Sequence, residues 1–215
     1  VLSGDLGDVL VLRESAVGGQ GVEHRATLSH AHYPQGGPGG SGMGLVDHGI
    51  HLIDAFGWML DSRVRRVVGR GNLSGKRQAP EFAVLEYENA ALGFLLYEDG
   101  TFSSDLPSEG LFSWGSGWDV DGPTTAGAWS AHPGCIHIHG TRGALRVFHY
   151  ANALFHRGPR GVRQVAVEDR PAPLNFAAQL QAFADAIRTD SETPVPGEVG
   201  TEACRTLLQI YSNTF

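Results

Sequence analysis

Asp47 and His51 stand at i and i+4 in the run Gly42-Met43-Gly44-Leu45-Val46-Asp47-His48-Gly49-Ile50-His51-Leu52-Ile53-Asp54. On a helix that spacing puts a carboxylate and an imidazole on one face. The acid orients the ring and holds its proton, and imidazole is the side chain whose ordinary titration falls near neutrality. Such a pair suits acid–base work, in which a proton leaves or joins a reacting group.

The helix that must carry the pair spans residues 44–60. Leu45, Val46, Ile50, Leu52, Ile53, Phe56, Met59 and Leu60 make it apolar over most of its circumference. Asp47, His51, Asp54 and Trp58 form its one stripe with polar groups, so the rest predicts a buried helix. The stripe must then face solvent, a partner group or a cavity, because a buried unpaired charge is costly.

The other elements are predominantly β. Alternation and β-branched content predict strands at 9–17, 65–71, 81–86, 90–97, 101–106, 135–139, 144–149 and 161–167, with a hairpin turn at Glu98-Asp99-Gly100. Two closing helices are expected. Phe176, Leu180, Phe183 and Ile187 read as core-facing on the first, and Val199, Ala203, Leu207 and Ile210 as the stripe of the second. Residues 18–44 read as strand remnants followed by a long loop, of a length that is usually functional in a compact domain, and residues 107–133 are irregular. With no repeat and no linker, residues 1–215 read as a single domain. Its class is α+β, a large, mostly antiparallel open sheet with helices packed on one face.

The bulk properties exclude several roles. The 215 residues carry a net charge of −7, which leaves no basic footprint for nucleic acid and disfavours anionic membranes. No run reaches the ~20 apolar residues of a membrane span. Cys135 and Cys204 are too few for a disulfide framework and predict reduced, packed thiols in a cytoplasmic protein. Ten histidines invite a metal reading: His48 with His51, His30 with His32, His137 with His139. No zinc-type ligand motif accompanies them, so no metal is expected, and His137 and His139 are read as lining one face of the sheet. Arg157, Arg160, Arg163 and Arg170 read as a solvated basic patch, and Cys204 as an inert thiol among apolar neighbours.

Five segments in order resemble the C-terminal, substrate-binding domain of the glucose–fructose oxidoreductase / inositol dehydrogenase (Gfo/Idh/MocA) family. They are Gly4-Asp5-Leu6-Gly7-Asp8-Val9; residues 42–54; Tyr97-Glu98-Asp99-Gly100-Thr101; Ile138-His139-Gly140-Thr141-Arg142-Gly143-Ala144-Leu145; and residues 176–188 followed by 194–197. The resemblance covers nearly the whole chain. It implies that Asp47 and His51 are the catalytic pair, with His51 as acid/base toward a sugar or polyol hydroxyl and Asp47 orienting it or touching substrate. It implies that His30, His32, Tyr33 and His48 contact the substrate, and that NAD or NADP takes part. It also implies a homodimer or homotetramer through the open sheet face. Trp114, Trp118 and Trp129 either stack on sugar or pin loops and contacts between copies.

The chain departs from the family in one large respect. Nothing in it reads as a Rossmann domain: no Gly-x-Gly-x-x-Gly sits between a strand and a helix, and no Glu-Lys-Pro occurs. Gly69-Arg70-Gly71-Asn72-Leu73-Ser74-Gly75 has Ser at the third glycine and leads to Pro80, not to an apolar helix. The cofactor is therefore expected to be held mainly by an absent N-terminal half. Because the sequence opens at Val1 in what reads as mid-protein, the chain is expected to be a fragment that does not turn over alone. Two other functions fit the same residues: an NAD-dependent glycosidase, and a non-catalytic binding or assembly domain that has lost the cofactor half.

Overall fold

A computed structural model describes residues 4–19, 44–71, 80–102, 135–148, 153–168 and 172–212. Its centre is one sheet of eight strands in the order β2-β3-β4-β1-β5-β6-β7-β8. The strands are β1 (Val9–Gly19), β2 (Val64–Arg70), β3 (Glu81–Tyr87), β4 (Leu92–Phe102), β5 (Ile136–Gly140), β6 (Ala144–Phe148), β7 (Ala153–Gly158) and β8 (Gly161–Val165). Among the described residues only β1 with β4 is parallel, and every other pair is antiparallel. The expected α+β architecture, an open and mostly antiparallel sheet, is what the chain forms.

Two strand expectations are corrected. No turn breaks β4 at Glu98-Asp99-Gly100; the strand runs through to Phe102, paired with β1 across a bulge between Val17 and Gly19. Long-range pairing here overrides a local turn signal. The strand β7 was not expected at all, and it forms a hairpin with β8 through Gly158↔Gly161.

Alternation along the strands sends one set of residues to the helices. Glu81, Ala83, Leu85 and Tyr87 of β3 are buried, as are Leu12 and Glu14 of β1 and Leu95 and Tyr97 of β4. Against this face lies a single π-turn, Leu45–Gly49, that runs directly into α1 (Ile50–Leu60). Leu52, Ile53 and Phe56 of α1 join the core with Ala203, Leu207 and Ile210 of α3 (Gly197–Ser212). The helix ends at Asp61 in the left-handed region, with Ser62 N–H returning to the Gly57 carbonyl, a Schellman-type stop.

The helix α2 (Ala172–Thr189) does not do what its periodicity predicts. Phe176, Leu180, Phe183 and Ile187 are 53, 69, 51 and 66% exposed, so they are not core. Periodicity identifies an apolar face but not what lies opposite it. Cys135 is buried as expected; Cys204 is exposed, because its position on α3 turns away from the sheet.

Two glycines set how closely the π-turn approaches the sheet. A Cβ on Gly44 would come within 2.6 Å of Tyr97 Cβ, and one on Gly49 within 2.9 Å of Leu45 Cδ2 and 3.2 Å of Tyr97 Cε2. Gly44→Ala should therefore lift the turn from Tyr97 and cost about 1–3 kcal/mol, read as a lower denaturation midpoint at unchanged slope.

On the other face, His137 and His139 of β5 stack at 6.2 Å between ring centroids, placing both on one side of the sheet as expected. Burial, then the charges of Arg13 and Arg146 and neighbouring His139, lower the His137 pKa to about 4. Its unfolded value lies near 6.5. Between these limits the unfolded chain binds more protons, so His137 costs stability as pH falls from about 6.5 to about 4. The stability advantage of the native chain over His137→Asn should shrink across that window and stay level above it, measured by urea unfolding at stepped pH.

Candidate active site

The centre of the helix-facing side is a buried carboxylate. Glu14 of β1 has a fully buried side chain, and its Oε2 accepts the Tyr97 hydroxyl at 2.7 Å. The same oxygen lies 2.9 Å from Nε2 of His48, which is 13% exposed. With Glu14 as a carboxylate, which only accepts, the facing imidazole nitrogen is the donor. The His48 ring also meets the Tyr97 ring edge-on, with centroids 5.7 Å apart and planes at 83°. β1 and β4 are neighbouring parallel strands, so the topology brings Glu14 and Tyr97 together and the π-turn lowers His48 onto them.

A second buried carboxylate fixes the start of the turn. Glu81 of β3 takes the backbone N–H of Leu45 on Oε2 at 3.1 Å and the Tyr211 hydroxyl on Oε1 at 2.8 Å. An acid at a helix N-terminus satisfies an otherwise unpaired donor and is favoured by the helix dipole. Burial and the adjacent Glu81 charge push the Tyr211 hydroxyl pKa strongly up, so it stays a donor. Thus β3, the π-turn and α3 are tied at one point.

The structure brings together part of the predicted site. Asp47 lies on the π-turn and His51 on the first turn of α1; the Asp47 side chain is outside the described residues. His51 is exposed and makes no hydrogen bond among the described residues. Trp58, on the same stripe, is 78% exposed, and Asp54 is half-buried. His51 and Trp58 of the stripe are thus turned to the outside of the helix. His48 is not on the stripe: this ring faces the sheet. His30, His32, Tyr33, Trp114, Trp118 and Trp129 lie outside the described residues.

Glu14 and Tyr97 escaped sequence reasoning. In Leu10-Val11-Leu12-Arg13-Glu14-Ser15, the one available signal was that Glu14 keeps phase with Leu12 and so shares its buried face. Among the described residues, no group of three or more His, Cys, Asp or Glu side chains is placed to hold a metal ion.

The described residues do not fit the phosphates of a dinucleotide. That task needs a glycine-rich loop opening a helix whose free N–H groups face the anion. Here the N-terminal donor of the turn already serves Glu81. What the arrangement does offer is a firmly seated turn that presents one exposed imidazole.

Tyr97→Phe keeps the ring that Gly44 and Gly49 pack on but removes a donor to Glu14. It should cost about 1–3 kcal/mol. Glu14→Ala, which leaves both donors without their acceptor, should cost about 3–5 kcal/mol. Denaturant melts of the two variants check the order.

A family model described as the oxidoreductase family C-terminal alpha/beta domain matches residues 3–213. Among curated proteins nothing matches the sequence. Among solved structures, an oxidoreductase from Agrobacterium radiobacter in complex with NAD+, L-tartaric acid and magnesium is 16% identical with a TM-score of 0.63, covering 99% of this chain and 57% of its own. An aldose-aldose oxidoreductase from Caulobacter crescentus complexed with glycerol is 17% identical with a TM-score of 0.63, covering 99% and 55%. A biliverdin reductase from Synechocystis in complex with biliverdin and NADP+ is 18% identical with a TM-score of 0.63, covering 98% and 57%. The chain thus spans little more than half the length of these structures, and at such identities they share its fold. The chain belongs to the Gfo/Idh/MocA oxidoreductase family, of which it forms the C-terminal alpha/beta domain.

Proposed function

We propose that residues 1–215 are the substrate-binding and catalytic domain of an NAD(P)-dependent oxidoreductase acting on a sugar, polyol or related cyclic alcohol. One observation carries this reading: an exposed imidazole, His51, on a helix whose Leu52, Ile53 and Phe56 are buried in the core. A histidine kept out of the core on so apolar a helix is free to meet a substrate.

In this reading the nicotinamide cofactor supplies the hydride chemistry and is carried by the part through which the solved relatives exceed this chain. The residues of this chain handle the proton and the substrate. Oxidising a secondary alcohol leaves a developing carbonyl whose hydroxyl proton must go to a base. His51 takes it, or returns it in the reverse direction. Asp47 orients His51 or the substrate from one turn earlier. His30, His32 and Tyr33 contribute hydrogen bonds to the substrate hydroxyls. His48 lies at the base of the site, where its bond to Glu14 holds the turn down.

The open face of the sheet supports assembly. Val68, Phe94 and Leu96 are exposed large apolar residues on strands β2 and β4. Contiguous apolar surface of this kind marks an interaction site. A homodimer or homotetramer formed through this face would cover it. No helix among the described residues is long and apolar enough to cross a membrane, and we place the protein in the cytoplasm.

The test is turnover of a panel of polyols and aldoses by the full protein with NAD or NADP. His51→Gln, which keeps size and polarity but loses the base, should lower kcat/KM about 10²–10⁴-fold while unfolding at an unchanged midpoint. An unaltered rate contradicts the assigned role. Release of free sugar from glycosides without net NADH would instead favour glycoside cleavage.

A further inference from the structure

The run Gly69-Arg70-Gly71 fails as the start of a phosphate loop, and the structure gives its glycines another use. They lie at the end of β2, beneath the last turn of α3. A Cβ on Gly69 would come within 3.0 Å of Ile210 Cγ2, and one on Gly71 would run into the Tyr211 ring. At position 71 the tyrosine takes the room that any other side chain would fill. The helix brings Tyr211 there by its period. Ala203, Leu207 and Ile210 are buried against the sheet, and Tyr211 follows Leu207 by one turn at the edge of the same face.

Past the glycine, the phenol reaches the buried acid of β3. Its hydroxyl donates to Oε1 of Glu81 at 2.8 Å, while Oε2 of the same acid accepts the Leu45 N–H at 3.1 Å. Burial and the Glu81 charge keep the phenol protonated, and a backbone hydrogen bond from Val46 works against them. The first two N–H groups of the π-turn are thus met from outside it, Leu45 by Glu81 and Val46 by Tyr211. Such donors have no partner within their own helix. A carboxylate bonded through one oxygen can still rotate. Bonded through both, it holds one plane, and with it the place of the Leu45 N–H. Glu14 secures the turn at His48, and Tyr211 secures it at its first residues. Asp47 and His51 follow directly on the same element, where a displacement of about 1 Å is enough to cost a proton transfer much of its rate.

We propose, on the reading of His51 as acid/base, that Tyr211 is a positioning residue for the reaction. Through Glu81 and the N–H groups of Leu45 and Val46 it sets the orientation of the turn that presents Asp47 and His51.

The test is steady-state turnover of the full protein carrying Tyr211→Phe, which keeps the ring beside Gly71 and removes the hydroxyl. Rates are taken per folded protein. The control is Val67→Ala, a buried position of β2 that pairs with Leu85, four residues along β3 from Glu81. In Tyr211→Phe, kcat should fall about 10–100-fold with KM within about twofold. The solvent deuterium isotope effect on kcat should rise, because proton transfer to a displaced His51 becomes the slow step. Gly71→Ala, which pushes the ring off Glu81, should reproduce both changes, and the double variant should lose less than the product of the two losses. Val67→Ala should keep the native kcat and isotope effect. An equal loss in Val67→Ala, or a rise in KM alone, overturns the proposal. So does a full rate in Tyr211→Phe and Gly71→Ala while His51→Gln is impaired. An unaltered rate in His51→Gln as well overturns the acid/base reading with it.

Discussion

One buried carboxylate organises the helix side of this fold. Glu14 sits in the middle of an eight-stranded sheet with no exposed side-chain surface, and its Oε2 meets both Tyr97 and His48. Burying such a charge is costly unless donors surround it. The cost is offset only while β1, β4 and the π-turn keep one relative position. The same bonds to Oε2 therefore fix the height and rotation of the turn that leads into α1. Geometry at the exposed stripe follows from that seating, because His51 is three residues further along the same rigid element.

The seat is built from complementary parts. Gly44 and Gly49 remove the side chains that would collide with Tyr97, and Glu81 secures the N-terminal donor of Leu45. The five-residue π-turn is a widened turn, of the kind often found at functional sites. It directs His48 toward the sheet, while His51 on α1 faces away. Two histidines close in sequence thus face different ways: His48 bonds to Glu14, and His51 is exposed. The alternation of β1 repeats the division on the sheet itself, sending Glu14 to the helices and Arg13 to the open face.

Much of the architecture was legible in the sequence because it rests on local pattern. The helix around Asp47 and His51, the closing α3 and most strands follow hydrophobic periodicity, and the ordered family segments placed them in one fold. Two of those segments indeed meet, with Thr141 N–H on the Asp8 carbonyl and Arg142 N–H on that of Leu6. What stayed hidden depends on partners distant in sequence. The turn signal at Glu98-Asp99-Gly100 yielded to pairing with β1, and β7 is a strand of mixed apolar and basic residues held by its neighbours. The stripe on α2 is apolar, yet its four side chains are exposed. Glu14 is 34 residues from His48 and 83 from Tyr97, so no local motif could have joined them.

The most direct measurement of this account is the 15N spectrum of the histidine ring nitrogens in the native protein and in Glu14→Gln. The account predicts that Nε2 of His48 carries a proton in the native chain and shows the shift of a strong hydrogen bond to a carboxylate. That shift should disappear in the variant, with a change in the backbone amide signals from Leu45 to His51. A bare Nε2 on His48, or an imidazole and turn that do not respond to the loss of the Glu14 charge, would contradict it.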